Sequence, residues 1–295
     1  MYTQPRISLG RIVKLTISFF VYLWTEAGAI LPRLFGIPVS GRCVVLYYHS
    51  VPPEQRVQFA QQLDQILKHA RPVDATQRIV PGLGELLAAV TFDDAFENFV
   101  EQALPELQKK GIPSLVFVIS GALGKAFGPT GNPEKVMSAI QMDALPRTLV
   151  SIGSHTATHP FLPELDEASV RRELRESKKQ LEELLGREVF TFSFPFGGFT
   201  PQLVELCREA GYTRIFTTLP VYGFEQGPDE FAVGRVRVDP TDWKLEFFLK
   251  LHGAYRWLPV AIRLKSKLRS MMGRQAQQES SGEVRSMIQD WISNP

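Results

Sequence analysis

The chain has 295 residues, 44% of them hydrophobic, enough to bury one full core and better matched to a single large domain with extensions than to two domains. A net charge of +2 says little by itself, and no nucleic-acid partner is expected. Two cysteines, Cys43 and Cys207, are too few for a disulfide framework, and as reduced core thiols they lean toward the cytoplasm.

The charge is unevenly spread. Arg6, Arg11 and Lys14 precede the first acid, Glu26, and Phe247 to Gln278 contains no acid but has Lys250, Arg256, Arg263, Lys265, Lys267, Arg269 and Arg274. Basic ends of this kind suit an anionic membrane surface or an acidic polymer; the alternative is a solvated face that happens to lack acids.

Residues 7–36 open the chain ambiguously. Leu15 to Trp24 is largely apolar but only ten residues long, under the roughly 18–20 that span a bilayer. Ile12, Leu15, Phe19, Tyr22 and Leu23 recur at helical spacing, which reads as an amphipathic helix, interfacial or packed. A cleaved signal ending near Ala27-Gly28-Ala29 and a membrane anchor are the other readings.

Cys43 to Tyr48 reads as a strand with His49 and Ser50 at its end, followed by a break at Pro52-Pro53 and a helix with Phe59, Leu63, Ile66 and Leu67 on one face. Leu86 to Phe92 is a buried strand that stops at Asp93-Asp94. Phe96 to Lys110 reads as a helix closed by Gly111, and Leu115 to Ile119 as a strand. Gly121 to Met142 is rich in Gly and Pro and long enough to be a lid or substrate loop. Leu149 to Ile152 is a strand followed directly by Ser154 to Pro160. Asp166 caps a helix over 168–185 that Gly186 ends. Val189 to Phe194 is a strand, Pro201 opens a helix, and Arg214 to Thr218 and Phe231 to Val238 are strands. Such alternation of strands and helices signifies a parallel barrel or sheet. Trp257 to Met272 has helical spacing with cations between its apolar residues: a helix packed on the domain or a basic amphipathic helix on anionic lipid. Gln275 to Glu283 reads as a polar linker before a short final helix.

The chemistry gathers at strand ends, where an α/β protein builds its sites. His155 and His159 follow one strand at i and i+4, and two carboxylates end another. Two imidazoles and one carboxylate suit zinc or a similar divalent ion and leave a position for water. A spare carboxylate beside that water is a natural general base. Taken singly, Asp93-Asp94 reads as helix-capping acids and each histidine as structural.

Thr91-Phe92-Asp93-Asp94, His155-Thr156-Ala157-Thr158-His159-Pro160 and Phe192-Ser193-Phe194-Pro195-Phe196-Gly197 resemble, in order, the motifs of the polysaccharide deacetylases, over roughly Val44 to Asp239. Tyr48-His49-Ser50-Val51 resembles the opening of a branch associated with exopolysaccharide or lipid-linked glycan synthesis. The resemblance implies an α/β fold, a distorted (β/α) barrel with N- and C-terminal helical extensions, and metal-dependent removal of acetyl groups, N-acetyl in preference to O-acetyl, from an acetylated glycan. It implies Asp94, His155 and His159 as metal ligands, Asp93 as base, and Pro195, Phe196, Gly197 and Thr156 as substrate-binding, with a backbone N–H near Phe196 facing the oxyanion. The metal expected is zinc, with cobalt or nickel as alternatives. Ser154 or Thr156 would hold the ligands in place or contact phosphate or acetate groups of the substrate.

The chain departs from the pattern at Ser193, where the family commonly has an arginine that orients the base, and at Phe196, where a tyrosine is common. Arg235 is the candidate to replace the arginine by pairing with Asp93, and Arg237 the alternate. The general acid has no secure counterpart: His252 stands near the family position, and His49 is the next choice. The organisation expected is a membrane-proximal helical segment over 1–40, a catalytic barrel over 41–250 and a basic helix, linker and tail over 251–295. The setting expected is cytoplasmic and peripheral at the inner membrane, with export as the alternative. A same-fold amidase or deformylase acting on a smaller substrate is one rival function, and a non-catalytic glycan-binding relative the other.

Overall fold

The computed structural model describes residues 8–272 apart from 130 and 228. The expected polar linker and final helix after Gln275 lie outside these residues. In chain order the elements are α1 (Leu9–Leu34), β1 (Arg42–Tyr48), α2 (Arg56–His69), β2 (Arg71–Val73), β3 (Leu86–Phe92), α3 (Leu104–Lys110), β4 (Ser114–Val118), β5 (Ala126–Phe127), β6 (Glu134–Lys135), α4 (Ala139–Asp143), β7 (Val150–Ser154), α5 (Glu167–Leu185), β8 (Thr191–Ser193), α6 (Pro201–Glu209), β9 (Arg214–Phe216), β10 (Ala232–Val233), β11 (Val236–Arg237), α7 (Lys244–Leu251) and α8 (Leu258–Met272).

One parallel sheet runs β10-β9-β8-β7-β4-β3-β1-β11, with β2 added on β3, so the α/β barrel expectation holds. The sheet is strongly curled. β10 and β11 are its opposite edges, yet only Gly234 and Arg235 separate them, and three residue steps reach about 10 Å at most. The chain therefore brings the two edges together at a seam, and Arg235 sits in it.

Period-two alternation assigns the two faces. Cys43 and Val45 of β1, Leu87 and Ala89 of β3, and Leu115 and Phe117 of β4 pack together inside the curl with Phe216 and Val233. Their neighbours Val44, Leu46, Val90, Phe92 and Val116 face outward against Phe59 and Leu63 of α2 and Leu107 of α3. A third cluster joins Val170 and Leu174 of α5 and Leu203 and Leu206 of α6 to Phe192 and Ile215. Cys43 and Cys207 are both free and buried. α5 starts at Asp166, whose carboxylate accepts from Ser169 N–H, and ends at Gly186 with φ +63°, as the sequence predicts.

The expected strand over 231–238 is instead two short strands interrupted at the seam, and the expected helix from Phe96 begins with a wide turn over Phe99–Ala103 before α3. β2 carries no clear strand pattern of its own; pairing to β3 makes it.

α1 is the larger correction. It is 26 residues long, and Leu9–Ile30 is long and apolar enough to cross a membrane by length and composition. The apolar run looks short in sequence because Arg11, Lys14 and Ser18 interrupt it, but these lie toward one side of the helix. Arg11 is 2% exposed and pairs with Glu246 of α7 at 2.6 Å, while Ser18 accepts from Trp257 Nε1 at 2.9 Å. Farther along, Glu26 meets Arg42 at 3.0 Å. The helix thus turns its polar side to the domain and leaves Phe20 64% and Trp24 81% exposed.

Candidate active site

The inward side of β3 continues past its end: Leu87, Ala89, Thr91 and then Asp93 share one parity. Asp93 N–H donates to Tyr48 C=O at 2.9 Å, extending the ladder by one residue. Its carboxylate meets Arg235 head-on, with Nη1 donating to Oδ1 at 2.7 Å and Nη2 to Oδ2 at 2.9 Å. Arg235 is fully buried and lies over the rings of Tyr47 and Phe117, at 4.6 and 5.1 Å. It also donates to Ser193 Oγ at 2.7 Å, Thr91 Oγ1 at 3.1 Å and Thr217 C=O at 3.3 Å. Burial pushes the Asp93 carboxyl up, but Arg235 and the nearby histidines outweigh it and hold its pKa below the ordinary value. Neither Asp93 nor Asp94 caps a helix.

Asp94 points elsewhere because the backbone turns sharply: Asp94 and Ala95 have φ of +67° and +56°, a conformation that costs energy without glycine. The turn delivers the carboxylate to two imidazoles. His155 N–H donates to Val118 C=O at 2.9 Å, prolonging the β4–β7 ladder, and its Nδ1 meets Ser193 C=O at 2.9 Å. A carbonyl only accepts, so in the neutral ring Nδ1 carries the proton and Nε2 presents its lone pair. Nε2 of His155 and of His159 lie 3.6 and 3.3 Å from Asp94 Oδ1. Ligand atoms of Asp94, His155 and His159 all fall within 4.8 Å of one another. Asp94 Oδ1 is buried without a hydrogen-bond partner. An orphaned carboxylate oxygen facing two imidazole nitrogens fits a divalent cation such as zinc. Burial raises the Asp94 carboxyl, but His159, His49 and His155 prevail and hold it well below its usual range; burial pushes His155 down to about 4.

The loop between the histidines is held from behind. Thr156 and His159 have φ of +66° and +63°, and Thr156 Oγ1 accepts from His159 N–H at 2.9 Å. Glu173 of α5 accepts from the N–H groups of Ala157 and Thr158, each at 2.9 Å, and from Thr158 Oγ1 at 2.7 Å. Ser154 bonds Ser177 at 2.6 Å. Glu173 has no signal in the sequence. Ser177 has one, a hydroxyl on the buried stripe of α5 between Leu174 and Leu181.

These groups open on a cleft of about 570 Å³ lined by Asp93, Asp94, His155, His159, His49 and Arg237. Phe196 and Gly197 line it from the turn after β8, and Gly197 cannot carry a side chain there, since a Cβ would fall 2.1 Å from Thr218 Oγ1. The long segment after Gly121 supplies Phe127, Gly128, Pro129 and Glu134 to the opposite wall, through the β5–β6 hairpin and the bond from Met137 N–H to Ala95 C=O at 2.9 Å. Phe196, in the position of the common tyrosine, packs its ring 4.6 Å from that of His159.

Several expected residues sit elsewhere. Thr156 and Pro195, expected to touch substrate, are buried and absent from the cleft wall; the Thr156 hydroxyl serves its own loop. His252 ends α7, bonds Phe248 C=O through Nδ1 at 2.7 Å and packs against Tyr22 and Phe248, away from the cleft. His49, by contrast, lines the cleft, and burial lowers its pKa with Asp94 opposing. Arg237 lines the cleft but does not pair with Asp93; Arg235 does.

Comparison with known proteins follows the same residues. Positions 83–215 match the family described as polysaccharide deacetylase, a stretch that includes both aspartates and both histidines but neither His49 nor Arg235. Over 157 residues the chain is 28% identical to "Putative polysaccharide deacetylase YxkH" of Bacillus subtilis (strain 168), covering 53% of each protein, so it aligns with about half the length of that relative. Among solved structures, IcaB from Ammonifex degensii superposes with a TM-score of 0.61 at 28% identity, over 72% of this chain and 98% of that one. The Streptococcus pyogenes deacetylase PplD, solved in complex with acetate, shares the fold, with a TM-score of 0.59 at 21% identity, over 72% and 98%.

Proposed function

We propose that this chain, whose residues 83–215 match the polysaccharide deacetylase family, hydrolyses acetyl groups, N-acetyl in preference to O-acetyl, from a polysaccharide or lipid-linked oligosaccharide. The observation that carries the reading is the division of labour between neighbouring carboxylates: Asp94 faces two imidazoles, and Asp93 is held ionised by Arg235. Asp94, His155 and His159 would hold a divalent ion, zinc before cobalt or nickel, which when bound supplies Lewis acidity to water and to the acetyl carbonyl.

The chain's own residues do the rest. Asp93 takes a proton from the attacking water as its oxygen bonds to the acetyl carbon. Arg235 keeps Asp93 oriented and unprotonated beforehand. A backbone N–H beside Phe196 faces the developing oxyanion. The carbon–nitrogen bond then breaks, the amine takes up a proton, and acetate and a free amino sugar leave; His49 is the histidine in the cleft for that proton delivery. The non-catalytic reading rested on Ser193, and Arg235 supplies the guanidinium that Ser193 lacks.

Residues 41–250 are the proposed catalytic unit, with 1–40 and 251–295 as extensions. α1 keeps Arg11, Ser18 and Glu26 on the domain at three points along its length. A helix tied in this way suits lying in the plane of an anionic membrane with its apolar side in lipid better than spanning it, and the setting proposed is the cytoplasmic side of the inner membrane, with export as the alternative.

The deciding experiment is acetate release from a panel of N- and O-acetylated and formylated saccharides, with protein stripped and reloaded with zinc, cobalt or nickel. Metal-dependent acetate release that Asp93→Asn abolishes is the expected result. Metal binding with no release from any substrate would overturn the hydrolase.

A further inference from the structure

Arg237 is unexplained by the chemistry above. It lies two residues beyond Arg235, one strand step nearer the mouth, and its side chain lines the catalytic cleft on one side and a small cavity against α1 on the other. Its Nη1 is buried without a hydrogen-bond partner, and none of the ion pairs found among the described residues includes Arg237. The acids that might have served are engaged: Asp93 with Arg235, Asp242 with Lys250, and Glu246 with Arg11 and Lys250. Lys14 of α1, Lys250 and Glu246 line the same small cavity behind the cleft, so around Arg237 the cations there outnumber the acids. Burial lowers the Lys14 pKa, with Lys250 pushing the same way, Glu246 opposing and Arg237 adding to the lowering. A guanidinium donor left buried and unbonded is costly, and an arginine fork matches a phosphate or carboxylate.

We infer that Arg237 is the centre of an anion subsite in the cleft, and that the substrate carries a phosphate or carboxylate next to the acetylated sugar. This rests on the deacetylase reading and narrows its substrate class. Both anions offer the oxygens that Arg237 would bind. The cavity wall favours phosphate, because Lys14 belongs to the helix whose other side is apolar and exposed, so a glycosyl phosphate with a lipid tail would bring its phosphate to Arg237 and its tail toward α1.

The test compares kcat/KM for acetate release on three oligosaccharides of matched acetylated sugar: neutral, bearing a phosphate at the reducing end, and bearing a uronate. The zinc-loaded full chain and its Arg237→Gln and Arg237→Lys variants are used. Charge-assisted hydrogen bonds of this kind predict a roughly 10- to 100-fold preference for the phosphate substrate over the neutral one, read mainly in KM. Arg237→Gln brings that ratio to near one, and Arg237→Lys retains part of it. A uronate preferred over the phosphate keeps the subsite and moves the source of the anion to a uronic acid. A wild-type ratio near one, or a ratio that survives in Arg237→Gln, overturns the proposal. A second arm needs no turnover: inorganic phosphate and glucuronate are titrated into metal-free protein and followed by NMR, with binding expected in wild type and lost in Arg237→Gln. If no substrate releases acetate, the deacetylase reading falls, while this arm alone still decides whether Arg237 binds anions.

Discussion

Replacing Arg235 with methionine isolates the role of the buried pair. Methionine keeps most of the apolar volume over Tyr47 and Phe117 but leaves the Asp93 carboxylate, 3% exposed, without its guanidinium. Breaking a buried pair from one side costs about 3–5 kcal/mol, against a total stability on the order of 5–15 kcal/mol, so the variant should fold but unfold at much lower urea. The loss has a sign in pH. In the wild type the Asp93 pKa lies below its ordinary 3.8, so the pair stabilises the fold above that pH and the contribution disappears as pH falls through the folded value. In Arg235→Met the largest influence opposing burial is gone and only the nearby histidines still counter it, so the pKa rises and ionisation destabilises the fold as pH rises past 3.8. The stability gap between the two proteins should therefore widen from pH 4 toward neutrality. Adding Asp93→Asn to Arg235→Met should recover much of the loss, since no buried charge is then left unpaired. Urea unfolding of metal-free protein, followed by fluorescence of its four tryptophans, reads all of this. In turnover, the acid limb of the pH–rate profile should move to higher pH. A gap independent of pH, with the double variant no better than the single one, would refute the reasoning.

Glu173→Ala removes the acceptor behind the His155–His159 loop; outer-shell losses of this kind weaken metal affinity by roughly 10- to 100-fold, measured by competition with a chelator. His155 is held neutral, with its pKa pushed from 6.5 to about 4, so the unfolded chain binds the extra proton between these values. Metal-free protein should accordingly lose stability as pH falls from 6.5 toward 4, and His155→Gln should flatten that part of the unfolding-midpoint curve. Phe20→Glu with Trp24→Glu should release the protein from anionic vesicles in a flotation assay, each aromatic contributing about 1.5–3 kcal/mol if it enters lipid; wild type that never floats would remove the membrane role of α1.

Strand and helix alternation, the cap and stop of α5, and the grouping of Asp93, Asp94, His155 and His159 were legible from the residues alone. Those are local properties: apolar periodicity, capping chemistry, and ligand types placed at strand ends. The sequence pointed to Arg235 only through an absence, the serine at 193, and ranked it ahead of Arg237 without a physical ground for the order. Tertiary structure decided between them, because the closing of β10 onto β11 turns Arg235 into the barrel under Asp93 and leaves Arg237 at the mouth. It also decided the fate of His252, whose place near the family histidine in sequence puts it against Tyr22 and Phe248 in space. The polarity of α1 belongs to the same class: a run of residues has a hydrophobic content, but which of its sides meets the domain depends on Glu246 and Trp257, more than two hundred residues away. Periodicity is written in neighbouring residues, whereas the partner of a buried charge is chosen by chain closure, and closure depends on all the strands at once.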